Sequence, residues 1–299
     1  MFAIILRLVA MLMLAATYVC GKLLTDRGVG VGEIVFYRQL FAWPLAAAWL
    51  FATMGPSAIK TNRIGMHISR SALGMLGMLL NFGAVALLPL AESTSIAFTM
   101  PIFATILSAI VLREHIGRHR WSAVLLGFIG VVIMAHPDSE HLANIGVAIA
   151  LAGALVTAII SIVLRDLNKT EQAPTIVFWF TTLSLPPLAI LALFSHVPHD
   201  ATQWTLLVML GISGGAAQLL MTFSLRWGPV SLVIPMDYSQ LIWATAAGWL
   251  FWNTWPTLPS WAGAAMIASA GLYIAWRENV RRSGALSVTA EEDRSGRSG

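Results

Sequence analysis

The stretch IVFYRQLFAWP, Ile34–Pro44, is nearly repeated 142 residues later as IVFWFTTLSLP, Ile176–Pro186. The two copies share their Ile-Val-Phe start and their proline, but only the first carries a charge, Arg38, inside the apolar run. Further identities follow at an offset of 140 residues, among them Gly74/Gly214, Pro89/Pro229 and Trp121/Trp261. An alanine- and leucine-rich chain produces some matches by chance. Ordered matches at Pro, Phe, Gly and Trp favour a true internal duplication.

The composition is that of a membrane protein. Hydrophobic residues make up 58% of the 299 residues, charged residues 11%, and the mean hydropathy is +0.77, whereas a soluble domain has about 25% charged residues. A spanning helix needs about 20 consecutive apolar residues. Runs of that length without Asp, Glu, Lys or Arg occur at 39–59, 71–91, 93–112, 142–164, 172–199 and 201–225. These runs exclude an ordinary soluble domain.

The sequence predicts ten transmembrane helices. The stretch from Gly228 to Trp276 has Asp237 as its only charge and is too long for one helix, so it must fold back at the prolines of Asn253–Ser260. Residues 113–120 are expected to form a loop, and 279–299 a disordered cytoplasmic tail. The helices are expected near 4–23, 34–54, 69–88, 91–112, 120–136, 144–164, 174–195, 203–225, 229–251 and 258–276.

The basic residues predict the orientation. Ten helices place both termini on one side, and the loops of that side carry fifteen basic residues against two, Lys22 and Arg27, on the other. Because cytoplasmic loops are enriched in Lys and Arg, both termini are expected in the cytoplasm of an inner-membrane, multi-pass protein. The fifteen are Arg7, Lys60, Arg63, Arg70, Arg113, Arg118, Arg120, Arg165, Lys169, Arg226, Arg277, Arg281, Arg282, Arg294 and Arg297.

The duplication predicts an inverted repeat. Each unit contains five helices, 1–137 and 138–278, and five is odd, so the second unit enters the membrane in the opposite direction. The expected fold is an all-α integral membrane protein of two inverted five-helix repeats. Such repeats are typical of secondary transporters that work by alternating access, with the substrate site between the halves near the bilayer midplane.

Three stretches resemble the drug/metabolite transporter superfamily in its EamA-type branch. FYRQLFAWPL, Phe36–Leu45, resembles the branch's second helix; Leu88–Met134, with Pro101, Glu114 and Trp121, resembles its fourth and fifth helices; and Gly248–Glu278 resembles the end of the second repeat. Thr254 departs from the pattern, where the family usually has a glutamate. The resemblance covers residues 5–278 and implies an inner-membrane carrier of amino acids, nucleotide-linked compounds, vitamins or cationic drugs.

Arg38 is the first candidate site residue, since a charge at bilayer depth usually faces a cavity or a partner. It could reach back to the outer surface, pair with Glu92 as an outer gate, or hold a substrate carboxylate. Pairing with Glu33 is disfavoured because the i,i+5 spacing separates the two by about 140° around a helix.

Asp237 is the second intramembrane charge. It could bind a coupling cation or proton, as Glu92 could, or simply be protonated or reach the inner surface. Its counterpart in the first repeat is Ala97, so the two halves differ chemically there. The adjacent Tyr238 corresponds to Phe98, and this aromatic pair could line a site from both sides or serve packing alone.

Three further residues complete the predicted substrate site. Gln218 lies on a small-and-polar stripe of helix 8, where glycines favour close packing and the amide favours a cavity. Asn81 lies on the equivalent helix 3, so the two amides could face each other. Trp179 replaces Tyr37 in the second copy and could be a cavity wall or an interfacial residue.

The sequence predicts a secondary transporter of a small metabolite such as an amino acid, vitamin or nucleoside-like compound. The alternative, a membrane-embedded enzyme, has its best motif in GISGG, Gly211–Gly215, with Ser213 as nucleophile, but every histidine is expected in a loop or at a helix end. No catalytic residue, metal site, cofactor or nucleic-acid partner is expected. The expected partners are the small-molecule substrate and the lipid bilayer, with a coupling proton or sodium ion left open.

Overall fold

The structure, a computed structural model, describes residues 1–111, 113, 117–135, 141–227 and 233–296. Within these ranges it contains eleven α-helices, two short 3-10 helices at Pro56–Ile59 and Ile234–Tyr238, and no strand. The helices are α1 Phe2–Thr25, α2 Val31–Met54, α3 Ile64–Leu87, α4 Leu90–Ala97, α5 Met100–Ile110, α6 Arg118–Ala135, α7 His141–Leu167, α8 Ala173–Phe194, α9 Ala201–Trp227, α10 Ser239–Trp252 and α11 Leu258–Gly296.

The helices make ten membrane segments, which confirms the predicted fold class. Eight segments of the described chain are long and apolar enough to span a bilayer, with α4 and α5 together forming one of them, Leu90–Ile110. The shorter α6 is the ninth, and α10 with the 3-10 turn before it is the tenth. Helices suit this environment because each satisfies its own backbone hydrogen bonds in the absence of water.

The boundaries differ from the prediction in two places. Helix α3 begins at Ile64 rather than near 69, so Arg70 lies well inside a helix and not at its end. Helix α11 runs on to Gly296, through most of the expected tail, because no proline follows Pro259 to stop it. Three predicted features lie outside the described residues: part of the expected loop 113–120, the repeat boundary at 137–138, and the expected start of helix 9.

The helices of one half pack against those of the other half in symmetric pairs, as an inverted repeat requires. The first helix of each half lies along the third helix of the other half, α1 along α9 and α3 along α7. The second helices, α2 and α8, pair across the halves, and so do the last ones, α6 and α11. The two halves therefore interlock along their whole length instead of meeting at one flat interface.

Both halves interrupt their fourth membrane segment at the same place. The first half breaks between α4 and α5, just before Pro101, and the second half has the 3-10 turn Ile234–Tyr238 just before α10. Phe98 and Tyr238, which are 140 residues apart, stack across these breaks with ring centroids 4.5 Å apart. The predicted aromatic pair thus lies where the two halves cross.

The last helices of the two halves approach closely through glycine. A Cβ atom added to Gly263 of α11 would lie 2.5 Å from the backbone oxygen of Gly130 on α6, and 3.0 Å from Met134 Cβ. Since the first neighbour is a backbone atom, it cannot rotate away as a side chain can. Small residues at such crossings let helix backbones approach within van der Waals contact.

We predict that Gly263→Ala lowers the stability of the folded protein by about 1–3 kcal/mol, the usual cost of overpacking. The measurement is the melting temperature of the detergent-solubilised protein. Gly65→Ala is the matched control, because a Cβ there meets nothing within 4 Å and alanine favours a helix over glycine. An equal melting temperature for Gly263→Ala and the wild type would contradict the close approach of α6 and α11 at Gly263.

Candidate functional site

A cavity lies between α2, α8 and α9, which we call the central cavity. It measures about 320 Å³, including space that opens to the outside. Small residues on α2 and α9 make room for it, and polar groups from all three helices project toward it. The lining residues are Arg38, Gln39, Ala42, Ala46, Val177, Phe180, Thr181, Gly214, Gly215, Gln218 and Leu219.

Arg38 forms the charged wall of the central cavity. Helix α2 begins at Val31, so Arg38 lies about 10 Å from the start of the helix at 1.5 Å per residue. Its Nη1 donates to Gln39 Oε1 at 2.9 Å and lies 2.9 Å from Met78 Sδ. The contact with Met78 of α3 directs the guanidinium across the bundle, which favours the cavity interpretation over the snorkelling one.

The carboxylates proposed to pair with Arg38 are engaged elsewhere. Glu92 accepts a hydrogen bond from Ser260 Oγ at 2.8 Å, and Glu33 contacts two histidines. Among the described residues no carboxylate forms an ion pair with Arg38. The guanidinium keeps N–H groups free for an anion or carbonyl that enters the cavity.

Asp237 has an ion-pair partner, Arg7, which was expected among the basic residues of the cytoplasmic loops. Arg7 of α1 holds both oxygens of the carboxylate, with its Nη2 donating to Oδ2 at 2.6 Å and its Nε donating to Oδ1. Arg7 also donates to the Met221 carbonyl at 3.1 Å and is 5% exposed. The pair joins α1 to the start of the ninth membrane segment, and α9 accepts two further hydrogen bonds from Arg7, at the Met221 carbonyl and Ser224 Oγ.

The other predicted site residues lie in three different places. Gln218 lines the central cavity. Asn81 instead faces α7, where its Oδ1 lies 3.0 Å from the position of a Cβ on Gly153. Trp179 lies in the second turn of α8 and donates from Nε1 to the carbonyl of Ile59, the last residue of the 3-10 helix Pro56–Ile59, at 3.1 Å. Of the three, the structure brings only Gln218 together with Arg38.

Tyr238 and Glu92 lie outside the central cavity. Tyr238 stacks on Phe98 and packs closely against Gly271 of α11. Glu92 lines a second, smaller cavity of about 210 Å³ between the fourth and last segments, together with Ser95, Thr245 and Ser260. The two cavities belong to different parts of the bundle, so the predicted residues do not form one site.

Two functional candidates escaped the sequence analysis. Gln39 is 1% exposed, accepts a hydrogen bond from Arg38 and lines the central cavity. Its position next to Arg38 in the sequence could have identified it as a candidate. Arg70 is 8% exposed, and its guanidinium lies 4.2 Å from the ring centroid of Phe180, a cavity wall. Its Nε and Nη1 have no hydrogen-bond partner among the described atoms. Counting Arg70 as a loop residue hid this position.

The hydroxyl of Ser213 bonds to Thr17 Oγ1 at 2.9 Å and to the Leu210 carbonyl at 3.3 Å. Neither group is a general base, so these contacts do not activate the serine for the protease chemistry considered as the alternative.

Comparisons with known proteins agree with this architecture. The EamA-like transporter family matches residues 1–135 and 144–276. The chain is 31% identical to the riboflavin transporter of Vibrio cholerae over 73% of both chains, and 31% identical to the riboflavin transporter of Rhizobium johnstonii over 80% of this chain and 81% of that one. A crystal structure with 19% sequence identity shares the fold, with a TM-score of 0.65 over 91% of this chain and 96% of that chain.

We predict that Asp237→Asn destabilises the protein by about 3 kcal/mol, because it leaves the charge of Arg7, which is 5% exposed, without its partner. The double variant Arg7→Met/Asp237→Leu is expected to recover most of this loss, since it removes both charges together. Melting temperatures of the purified variants test this. A single variant as stable as the wild type would mean that the pair does not hold α1 in place.

Proposed function

Because the chain belongs to the EamA-like transporter family, we propose that it is a secondary transporter that carries a small metabolite across the inner membrane by alternating access. The chain is a multi-pass membrane protein, and its relatives are named as transporters of small molecules. The observation that carries the mechanism is the interlocked pair of five-helix halves around a cavity with an unpaired arginine. Both termini are proposed to lie in the cytoplasm, as the charge distribution predicts.

The packing supports alternating access in physical terms. Helices α2 and α8 pair across the halves and form most of the central cavity, so a rotation of one half against the other would open the cavity at one end and close it at the other. The stacked rings of Phe98 and Tyr238 lie at the crossing of the two broken segments. They are placed to keep the halves in register during such a rotation.

We propose riboflavin as the first candidate substrate. The two relatives at 31% identity are named for it. The central cavity offers what a flat heteroaromatic ring with carbonyl oxygens needs: donors from Arg38, Gln39 and Gln218, and an apolar wall at Phe180. Amino acids and other nucleoside-like compounds are the competing classes.

Asp237 and Glu92 differ as candidate coupling groups. Arg7 donates to both oxygens of Asp237 and neutralises its charge, which makes this carboxylate the weaker candidate for binding a proton or sodium ion. Among the described residues Glu92 accepts a single hydrogen bond, from Ser260, and it lies next to a small cavity. If transport is ion-coupled, we propose Glu92 as the group that carries the ion.

We predict that Arg38→Ala abolishes riboflavin transport while the protein still inserts and folds. A hydrogen bond to a charged group contributes about 1.5–3 kcal/mol, so riboflavin binding is expected to weaken roughly 10- to 150-fold. The measurements are riboflavin uptake into proteoliposomes and quenching of flavin fluorescence by the purified protein. Arg27→Ala is the matched control, because Arg27 is exposed and donates only to the Leu23 carbonyl.

Full transport by Arg38→Ala would return Arg38 to a packing role. A wild-type protein that fails to move riboflavin but moves an amino acid or nucleoside would contradict riboflavin as the substrate while supporting the proposed transport function.

We further predict that saturating riboflavin, at about 100 times its dissociation constant, stabilises the wild type by about 2.7 kcal/mol. At the same riboflavin concentration the shift should fall to about half in Gln218→Ala, whose amide lines the same cavity, because a tenfold weaker affinity leaves about 1.4 kcal/mol.

A further inference from the structure

Three metal-ligating side chains meet at the end of the bundle where α2 begins, and we call them the Glu33 cluster. Glu33 lies in the first turn of α2, and His196 and His199 lie in the connection between α8 and α9. Glu33 Oε1 lies 3.0 Å from His196 Nδ1 and 2.7 Å from His199 Nε2. Glu33 is 1% exposed and the His199 side chain is fully buried, whereas the His196 side chain is 57% exposed.

The protein groups near the cluster do not satisfy all its polar atoms. Glu33 Oε2 and His199 Nδ1 are buried, and neither finds a hydrogen-bond partner among the described residues. A buried carboxylate oxygen without a partner is costly. Simple hydrogen bonding between Glu33 and the histidines uses only Oε1 and leaves Oε2 without a partner among the described residues. A cation bound by both carboxylate oxygens would satisfy Oε2.

We propose that Glu33, His196 and His199 bind a divalent transition-metal ion, with Zn²⁺ as the best fit. Two imidazole nitrogens and one carboxylate form a ligand set that zinc uses with a fourth, open position. One ligand atom from each residue lies within 4.8 Å of the others. At zinc bond lengths of 2.0–2.1 Å, tetrahedral ligand atoms lie about 3.3 Å apart, so the present contacts need to widen by a few tenths of an ångström.

The surroundings restrict two ligands and leave the third adjustable. The His199 ring packs edge-on against Trp204 and Tyr37, with centroids 5.2 and 5.9 Å away. Gly30 and Gly32 let the start of α2 approach the end of α8, where a Cβ at either position would collide with Ser195 or Leu191. His196 is open to solvent and can rotate to complete the site, and water can take the fourth position.

A bound ion would join the start of α2 to the end of α8. Arg38 lies on α2 only five residues beyond Glu33, about 7.5 Å along the helix. The same two helices line the central cavity. The ion would therefore join two helices that line the cavity, and the inference does not depend on the transported compound.

The test is a Co²⁺ titration of the full-length, purified protein in detergent, after removal of any histidine tag. We expect one equivalent of Co²⁺ to bind, read by calorimetry and by the intense visible absorption of four-coordinate Co²⁺, and Zn²⁺ to displace it. Glu33→Gln and His196→Ala should each lose this binding at least tenfold. His119→Ala is the matched control, an exposed histidine outside the cluster, and should bind as the wild type does.

Because His196 is exposed, its replacement should leave folding intact, which size-exclusion profiles and melting temperatures in EDTA will check. Zn²⁺ is also expected to raise the melting temperature of the wild type by a few degrees and that of His196→Ala not at all. No binding of Co²⁺ by the wild type, or unchanged binding in His196→Ala, would overturn the proposal.

Discussion

A charge inside the hydrocarbon region costs about 3 kcal/mol or more on insertion scales, and this constraint arranges the interior of the bundle. Arg7 and Asp237 neutralise each other and join α1 to the ninth segment. Glu33 contacts two histidines, and Glu92 accepts a hydrogen bond from Ser260. Arg38 and Arg70 remain without a carboxylate partner among the described side chains, and both contact the walls of the central cavity or line it. Arg38 and Arg70 therefore differ from Arg7, whose charge is neutralised by a carboxylate.

The ten-segment architecture could be predicted because it depends on properties that a sequence displays directly. Apolar length fixes a spanning helix, and an internal duplication with an odd number of helices fixes an inverted pair of halves. Even the crossing of Phe98 and Tyr238 follows from their offset of 140 residues, which places them at equivalent points of the two halves. Local pattern and repetition carry this information, so no knowledge of long-range contacts was needed.

The site was less predictable, since it depends on contacts that no local pattern contains. Arg7 and Asp237 are 230 residues apart, and nothing near either residue indicates the other. Arg70 was assigned to a loop because the apolar run begins after it, whereas α3 begins at Ile64 and continues through it. Asn81 and Gln218 occupy comparable helices, yet the exchange of partners turns Asn81 toward α7 and Gln218 toward the cavity. The histidines of the Glu33 cluster were correctly predicted to lie in a connection or at a helix end. Their contact with Glu33, more than 160 residues earlier in the chain at the start of α2, could not be seen in the local sequence.

The repeat also explains why only its first copy carries an arginine. The counterpart of Arg38 at an offset of 142 is Phe180, and the counterpart of Gly74 at an offset of 140 is Gly214. In the structure Arg38 lies against Gly214 and Phe180 lies against Gly74, so each residue meets the glycine of the opposite half. The face of Phe180 then holds the guanidinium of Arg70, and a cation is restored at the equivalent position by a different helix. Under the proposed exchange of conformations between the halves, a substrate that leaves Arg38 would meet a second guanidinium, partly covered by an aromatic ring. Cation–π contact attracts this second charge without adding a competing carboxylate, which leaves its free N–H groups available to the substrate.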